Sequence, residues 1–224
     1  MPFKNKHLGE NIIIADADYV DKVAFNLIVN FERMIGRHIP QADMAQWVEC
    51  IALDGGCQEK PAEASTPLTS VILIHDVAKR EMDNFSPGIF GDNLPPHSDE
   101  DIEESNVLNG RAFKGRLGEF SFSTLSGEAH QETMTKADIF LDVLAALADE
   151  HHVRRIMLVP DLEQDKGMAG LLHPVLQFID RSCPDKRVTT FAMEPLAGMP
   201  CRTDILGYSL MAALGVKADE LRTE

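Results

Sequence analysis

The sequence predicts a single Rossmann-like α/β domain in three layers, with about five mostly parallel strands flanked by helices. Three short, largely apolar runs, at 11–15, 70–75 and 155–159, are each followed by an acidic residue soon after they end. Such runs are typical of fully buried parallel strands. Segments of helical periodicity separate them, and this alternation favours a parallel sheet with right-handed crossovers. The length of 224 residues suits one large domain, and we expect it to span 1–224.

The N-terminal part of the chain predicts the order strand, helix, helix, strand. After the first run, Asp18 is placed to cap a helix that ends at Gly36, with apolar residues at three- and four-residue steps facing the sheet. A second helix is predicted over 42–53, where a strand is the alternative, and a glycine pair follows it. The run at 70–75 is the strand that completes this unit.

An acidic insertion at about 82–110 interrupts the pattern. Its central part, 83–106, contains seven acidic residues and no Lys or Arg. Such a segment buries too little apolar surface to offset the entropy lost on ordering it. We therefore expect a solvated surface loop; a lid, a mimic of nucleic-acid charge and a surface for a protein partner are the alternatives.

The C-terminal half returns to alternating elements. Thr135 and Asp138 form a capping pair at the start of one helix, and Pro174 is expected to kink or break another. The predicted elements are a strand over 113–125, a helix over 135–150, a strand over 155–159, a helix over 168–179, a strand over 187–193 and a helix over about 204–214.

Composition limits the classes of function. The chain has 36 acidic and 21 basic residues, a net charge of −15 and a pI near 4.9, which argues against a general polyanion binder. No apolar stretch approaches the length of a membrane span or of a signal-peptide core, so we expect a soluble, cytoplasmic protein with no membrane partner. The cysteines form no C-x-x-C pair; reduced thiols are expected, with Cys57 and Cys201 as candidates for reactivity.

Acidic residues follow the predicted parallel strands at several positions. Because the carboxyl ends of parallel strands meet at one edge of a sheet, we expect these carboxylates to gather there. Gathered carboxylates repel each other unless a divalent cation lies among them, and oxygen ligands suit Mg²⁺ or Mn²⁺. Metal-assisted phosphodiester hydrolysis is the chemistry of such a site, whereas helix capping is the simpler alternative. The residues concerned are Asp16, Asp18, Asp76, Asp161 and Glu194.

Two segments resemble a known nuclease family. I-I-I-A-D-A-D-Y at 12–19 resembles the opening strand of NYN-type PIN-like nucleases, which ends in D-x-D-N or a similar motif. K-A-D-I-F-L-D at 136–142, followed by R-I-M-L-V-P-D-L-E-Q-D at 155–165, resembles that family's helix with spaced aspartates and its strand ending in S-G-D-S-D. The resemblance implies a PIN/NYN-like fold and a Mg²⁺- or Mn²⁺-dependent nuclease or phosphoesterase, with RNA or another phosphoester as substrate. It implies catalytic metal ligands at Asp16, Asp142 and Asp161, with Asp18 and Asp138 in support.

Departures from the family pattern support a second interpretation. Tyr19 stands where the nucleases usually have Asn, and Val159-Pro160 stands in place of Ser-Gly. Such changes are expected in a non-catalytic binding or regulatory module with a degenerate site. A module of this kind would bind a protein partner or form a homodimer through its last helix.

A third interpretation comes from another enzyme family. D-A-D-Y-V at 16–20 also resembles the D-x-D-x-[TV] signature of haloacid-dehalogenase-like phosphohydrolases, and Asp161 with Asp165 resembles their late acidic motif. In that family the first aspartate is the nucleophile and the second is a general acid/base. The sequence shows no clear counterpart of the family's lysine or of its flap, and it leaves open whether Asp76, Asp165 or Glu194 belongs to the site.

Overall fold

A computed structural model gives the fold of residues 8–59, 66–77, 81–86, 106–127, 134–163, 165 and 167–221. In chain order its elements are β1 (Asn11–Asp16), α1 (Ala17–Ile35), β2 (Ala42–Asp43), α2 (Met44–Asp54), β3 (Leu68–His75), β4 (Phe85–Ser86), β5 (Ala112–Gly115), β6 (Gly118–Ser126), α3 (Lys136–Asp149), β7 (Arg155–Val159), α4 (Met168–Ser182), β8 (Arg187–Ala192), β9 (Arg202–Ile205) and α5 (Leu206–Ala213).

Within the described residues, seven strands form the main sheet in the order β5-β6-β3-β1-β7-β8-β9. The central strand β1 pairs in parallel with β3 on one side and with β7 on the other. Of the strands in this sheet, β5 alone is antiparallel to its neighbour. The strand order reverses at β1, so the crevice beyond the carboxyl ends of β1 and β7 is where a ligand is expected in such a sheet.

Helices cover both faces of the main sheet because successive side chains of a buried strand point in opposite directions. Ile13 and Ala15 pack with α1, α2 and α5, whereas Ile12 and Ile14 pack with α3 and α4. These four side chains of β1 are fully buried. The predicted α/β architecture, a mostly parallel sheet with helices on both faces, is confirmed.

The prediction of about five strands is wrong, for two physical reasons. The segment predicted as one strand over 113–125 is a hairpin of β5 and β6, turning at Gly118 with φ 132°. The last strand, β9, lies at the edge of the sheet and none of its residues is fully buried. An edge strand of this kind has no apolar run by which the sequence would reveal it.

The N-cap of the first helix lies two residues earlier than predicted. Asp16, not Asp18, is the N-cap of α1, and its Oδ1 accepts the Tyr19 backbone N–H at 3.0 Å. The predicted capping pair of Thr135 and Asp138 is confirmed at α3. The predicted helix after β7 is also confirmed, and it runs through Pro174 to Ser182 without a break.

The acidic insertion predicted at about 82–110 lies largely outside the described residues, which include 82–86 and 106–110 of it. Its first part is attached to α1, because the backbone N–H and the side-chain amide of Asn84 both donate to the Asp21 carboxylate, at 2.8 and 3.2 Å. Among the helices described, none combines the length and apolar character needed to cross a membrane.

The turn between β5 and β6 gives a direct test of the fold. A Cβ on Gly118 would overlap the carbonyl oxygen of Pro67. The φ of Gly118, 132°, would also strain any residue other than glycine at this position. We expect Gly118→Ala to lower the free energy of unfolding by more than about 1 kcal/mol. Gly170 in α4 has open space around its Cα, so Gly170→Ala should instead raise it by up to about 1 kcal/mol. Urea denaturation followed by circular dichroism measures both; equal losses in the two variants would contradict this packing.

Candidate functional site

A cavity of about 480 Å³ lies at the carboxyl end of the strands, where the strand order reverses. Four elements contribute to its lining: the end of β1, the residue after β3, the start of α3 and the segment that leads from β7 into α4. Its size is in the range of small-molecule sites. The lining residues are Asp16, Asp76, Thr135, Lys136, Ala137, Phe140, Asp161, Asp165 and Met168.

Asp16 is the most buried acid of this cavity, at 5% exposure. Its Oδ1 accepts two hydrogen bonds, from the Tyr19 backbone N–H at 3.0 Å and from the Lys136 ammonium at 2.9 Å. Burial raises the pKa of the Asp16 carboxyl, and the two donors oppose that rise. Asp16 therefore caps α1, bears a charge inside the protein and faces the cavity at once.

Lys136 brings three carboxylates together. Its Nζ lies 2.9 Å from Asp16 Oδ1, 3.0 Å from Asp76 Oδ2 and 3.5 Å from Asp18 Oδ2. Burial by itself would lower the pKa of Lys136, but the carboxylates more than offset this and hold it above its usual value. The amine stays protonated at neutral pH, so Lys136 contributes a positive charge to the cavity.

Asp18 is held by protein donors on both oxygens. Oδ2 accepts the Asp76 backbone N–H at 2.7 Å, and Oδ1 lies 3.3 Å from Nδ1 of the buried His75. Nε2 of His75 faces the Asn106 side-chain nitrogen at 3.4 Å, while Asn106 Oδ1 accepts the Leu108 N–H. Because that nitrogen can only donate, the neutral His75 tautomer with its proton on Nδ1 satisfies every contact. Through these contacts Asp18 joins the first turn of α1 to the end of β3.

Asp161 and Asp165 also line the cavity. Asp161 Oδ1 accepts the Glu163 N–H at 3.1 Å, and Asp165 Oδ1 accepts the N–H groups of Gly167 and Met168 at 3.0 and 3.2 Å. These bonds fold the segment after β7 back toward the cavity and start α4. Asp161 was predicted as a site residue, and the structure places it in the same cavity lining as Asp16. Asp165, which the sequence left open, belongs to this lining too.

Two predicted site residues, Asp138 and Asp142, lie outside the cavity lining, and so does Glu194, which the sequence left open. Asp138 Oδ2 accepts the backbone N–H and hydroxyl of Thr135 at 2.9 and 2.6 Å, contacts that hold its pKa below the usual range. Asp142 is exposed on α3 and does not line the cavity, as expected for a residue about 200° around the helix from Phe140. Glu194, after β8, is exposed and also outside the lining.

The acids of the cavity offer oxygen ligands to a hard cation. In the described part of the chain, no three or more His, Cys, Asp or Glu side chains are close enough together to hold a bare metal ion. Mg²⁺, however, usually keeps several of its waters and is bound through only one or two carboxylates. Asp16 and Asp161 line the same cavity of about 480 Å³, so they are the residues that could hold a hydrated ion of this type.

The family to which the chain belongs is identified by comparison with known proteins. Residues 5–221 match a family of unknown function, DUF6621. The chain belongs to this family. No curated protein and no solved structure matches it. The family match does not test the resemblance to NYN-type nucleases, so the function of this DUF6621 member must be argued from its cavity.

Sequence reasoning assigned no role to Lys136, although the residue stands within the segment that resembles the nucleases. A lysine is common on helix surfaces and is usually solvated, so its type gave no signal. The position of Lys136 did give a signal, because the residue directly follows the cap Thr135, at the start of a helix that precedes β7. A cation at a helix start near the acidic edge is unusual, because the positive end of the helix dipole disfavours it.

The two cysteines predicted as candidates for reactivity provide a test of how deeply their thiols are buried. Burial raises the pKa of the Cys57 thiol to about 11, and burial also raises that of Cys201. Thiolate is the reactive form, so we expect both to react slowly with a disulfide reagent at pH 8, and Cys57 to react faster as the pH approaches 11. Rates on the folded protein, with urea-unfolded protein as the control, measure this. Equal rates in the two states at pH 8 would show the prediction to be wrong.

Proposed function

We propose that this protein hydrolyses phosphoesters in this cavity, with the help of Mg²⁺ or Mn²⁺. The observation that carries the proposal is that Asp16, Asp161 and Lys136 line one cavity at the reversal point of a parallel sheet. The resemblance of the strand ends at 12–19 and 155–165 to NYN-type nucleases supports the same chemistry. Nuclease activity on RNA is the narrower form of the proposal.

The charge of the cavity supports a requirement for a cation. Among the described residues, its lining has four carboxylates, those of Asp16, Asp76, Asp161 and Asp165, and one ammonium. A phosphate group entering this lining alone would be repelled. A divalent cation would reduce the net charge of this lining from −3 to −1, and when bound it would neutralise charge on the phosphate and lower the pKa of a water.

Asp16 and Asp161 would hold this cation, and Asp165 lies in the same lining to bind one of its waters. Thr135 lines the cavity at the start of α3, and its backbone is fixed by the capping box. Phe140 and Met168 form an apolar wall, which excludes water from one side and strengthens the electrostatic interactions inside.

Attack by water fits these contacts better than attack by Asp16 itself. The haloacid-dehalogenase-like reading needs Asp18 as a mobile general acid/base, but both of its oxygens accept bonds from His75 and the Asp76 backbone. Asp16 Oδ1, in turn, is engaged by Tyr19 and Lys136. Lys136 does supply a lysine of the kind that this reading lacked, so covalent attack by Asp16 stays a weaker alternative.

A non-catalytic module is the second candidate. The observation that favours it is the ammonium of Lys136, which offsets part of the charge of Asp16 and Asp76 without a metal. Asp138 and Asp142, which the nuclease resemblance implies as ligands, also lie outside the cavity lining. In this alternative the acidic insertion or the last helix would bind a protein partner or a second copy of the chain.

Calorimetric titration with Mn²⁺ tests the proposed function. We expect saturable binding by the wild type and a loss of at least tenfold in affinity in Asp16→Asn and Asp161→Asn, because each removes a ligand charge. Asp142→Asn is the matched control and should bind as the wild type does, since Asp142 lies outside the lining. Mn²⁺-dependent cleavage of bis(p-nitrophenyl) phosphate and of RNA should follow the same order.

Absence of Mn²⁺ binding by the folded wild type would contradict the proposed function and favour the non-catalytic module. Equal loss of binding in Asp142→Asn would instead indicate the ligand set that the nuclease resemblance implies.

A further inference from the structure

Lys136 places its positive charge among the carboxylates to which a metal ion would also bind. Its ammonium is within 3.5 Å of Asp16, Asp18 and Asp76, and its side chain is 19% exposed. A metal ion bound to Asp16 would approach the same carboxylate from the same cavity. If the ammonium and a metal ion both bound this carboxylate, their positive charges would repel each other, and this repulsion would weaken the binding of each.

We propose that Lys136 is a built-in competitor of the divalent cation, so that the ammonium and the metal exclude each other at Asp16. The inference builds on the proposed function and adds the regulation of its site. Lys136 would offset part of the negative charge of the acid cluster when no metal is bound, and would leave Asp16 when the metal enters. The affinity for metal is then set by Lys136 as much as by the ligands.

The local structure allows the side chain to move while the backbone stays in place. Lys136 is the first residue of α3, and the capping box of Thr135 and Asp138 fixes the helix start independently of the lysine side chain. The cavity beside it leaves space for the displaced ammonium. Asp76, whose side chain is 64% exposed, already accepts from Nζ at 3.0 Å and can keep this ion pair nearer to solvent.

Mn²⁺ titration of Lys136 variants tests the competition. We expect Lys136→Met to bind Mn²⁺ at least tenfold more tightly than the wild type, since it removes a positive charge in contact with Asp16. Lys136→Arg keeps the charge and should bind no more tightly than the wild type. Lys114→Met, which removes a cation from the exposed strand β5, is the control for overall charge and should leave the affinity unchanged.

Unchanged or weaker Mn²⁺ binding by a folded Lys136→Met variant would overturn the inference, because a merely structural lysine predicts that result. An equal gain in Lys114→Met would also overturn it, since the effect would then reflect net charge alone.

The wild type provides a second measurement that needs no variant of the cluster. An ammonium bound to three carboxylates is protected from acylating reagents, and its release exposes it. We expect saturating Mg²⁺ to raise the acetylation rate of Lys136 by acetic anhydride severalfold, as followed by peptide mass spectrometry, while the rate at Lys114 stays the same. An unchanged or lower rate at Lys136 would contradict the exchange.

The two proposals fail in different ways. Metal binding by the wild type that Asp16→Asn abolishes, with no change in Lys136→Met, supports the function and overturns the competition. Tight binding by Lys136→Met alone, with none by the wild type, supports the competition and shows that the native chain is not a metal-dependent enzyme.

Discussion

The ion pair between Asp16 and Lys136 is the interaction on which the organisation of this site depends. Asp16 ends the central strand β1, between β3 and β7, so its carboxylate is enclosed by the sheet. A buried charge without a partner is strongly destabilising, and Lys136 supplies that partner at 2.9 Å. The pair also joins the two faces of the sheet, because Asp16 caps α1 on one face and Lys136 begins α3 on the other.

The rest of the acidic edge is arranged around this pair. Asp76 accepts from the same ammonium, and Asp18 is bound to the Asp76 backbone and to His75. These contacts fix the end of β3 against α1. Asp161 and Asp165 are fixed separately, by the turns between β7 and α4. The cavity therefore has two kinds of acid. Asp16 and Asp76 contact the Lys136 ammonium, whereas Asp161 and Asp165 accept bonds from backbone N–H groups.

The sequence predicts the architecture well where burial controls the pattern. Strands such as β7 lie inside the sheet, and their apolar runs are read directly from the sequence. The hairpin of β5 and β6 and the edge strand β9 were not predicted as separate strands, because a half-exposed strand does not need an apolar run. The capping box at Thr135 was predicted because it depends on residues three positions apart and not on the tertiary fold.

The site was only partly predictable for a similar reason. Asp16 and Asp161 lie at the carboxyl ends of parallel strands, so the sheet brings them to one edge. This placement does not depend on the conformation of the loops. Asp142 matched the nuclease pattern, but its side of α3 depends on how the helix packs, and Phe140 occupies the face toward the cavity. Lys136 reaches Asp16 across 120 positions of sequence. Its place at the start of a helix marks it as unusual but does not identify Asp16 as its partner.

A crystal structure of the wild type grown with Mn²⁺, with anomalous diffraction recorded near the manganese edge, tests the central claim most directly. We expect one anomalous peak in the cavity, in contact with an oxygen of Asp16 or Asp161. We also expect Nζ of Lys136 to have moved out of hydrogen-bond distance from Asp16. A cavity without a peak at saturating Mn²⁺, with Lys136 still bound to Asp16, would contradict it.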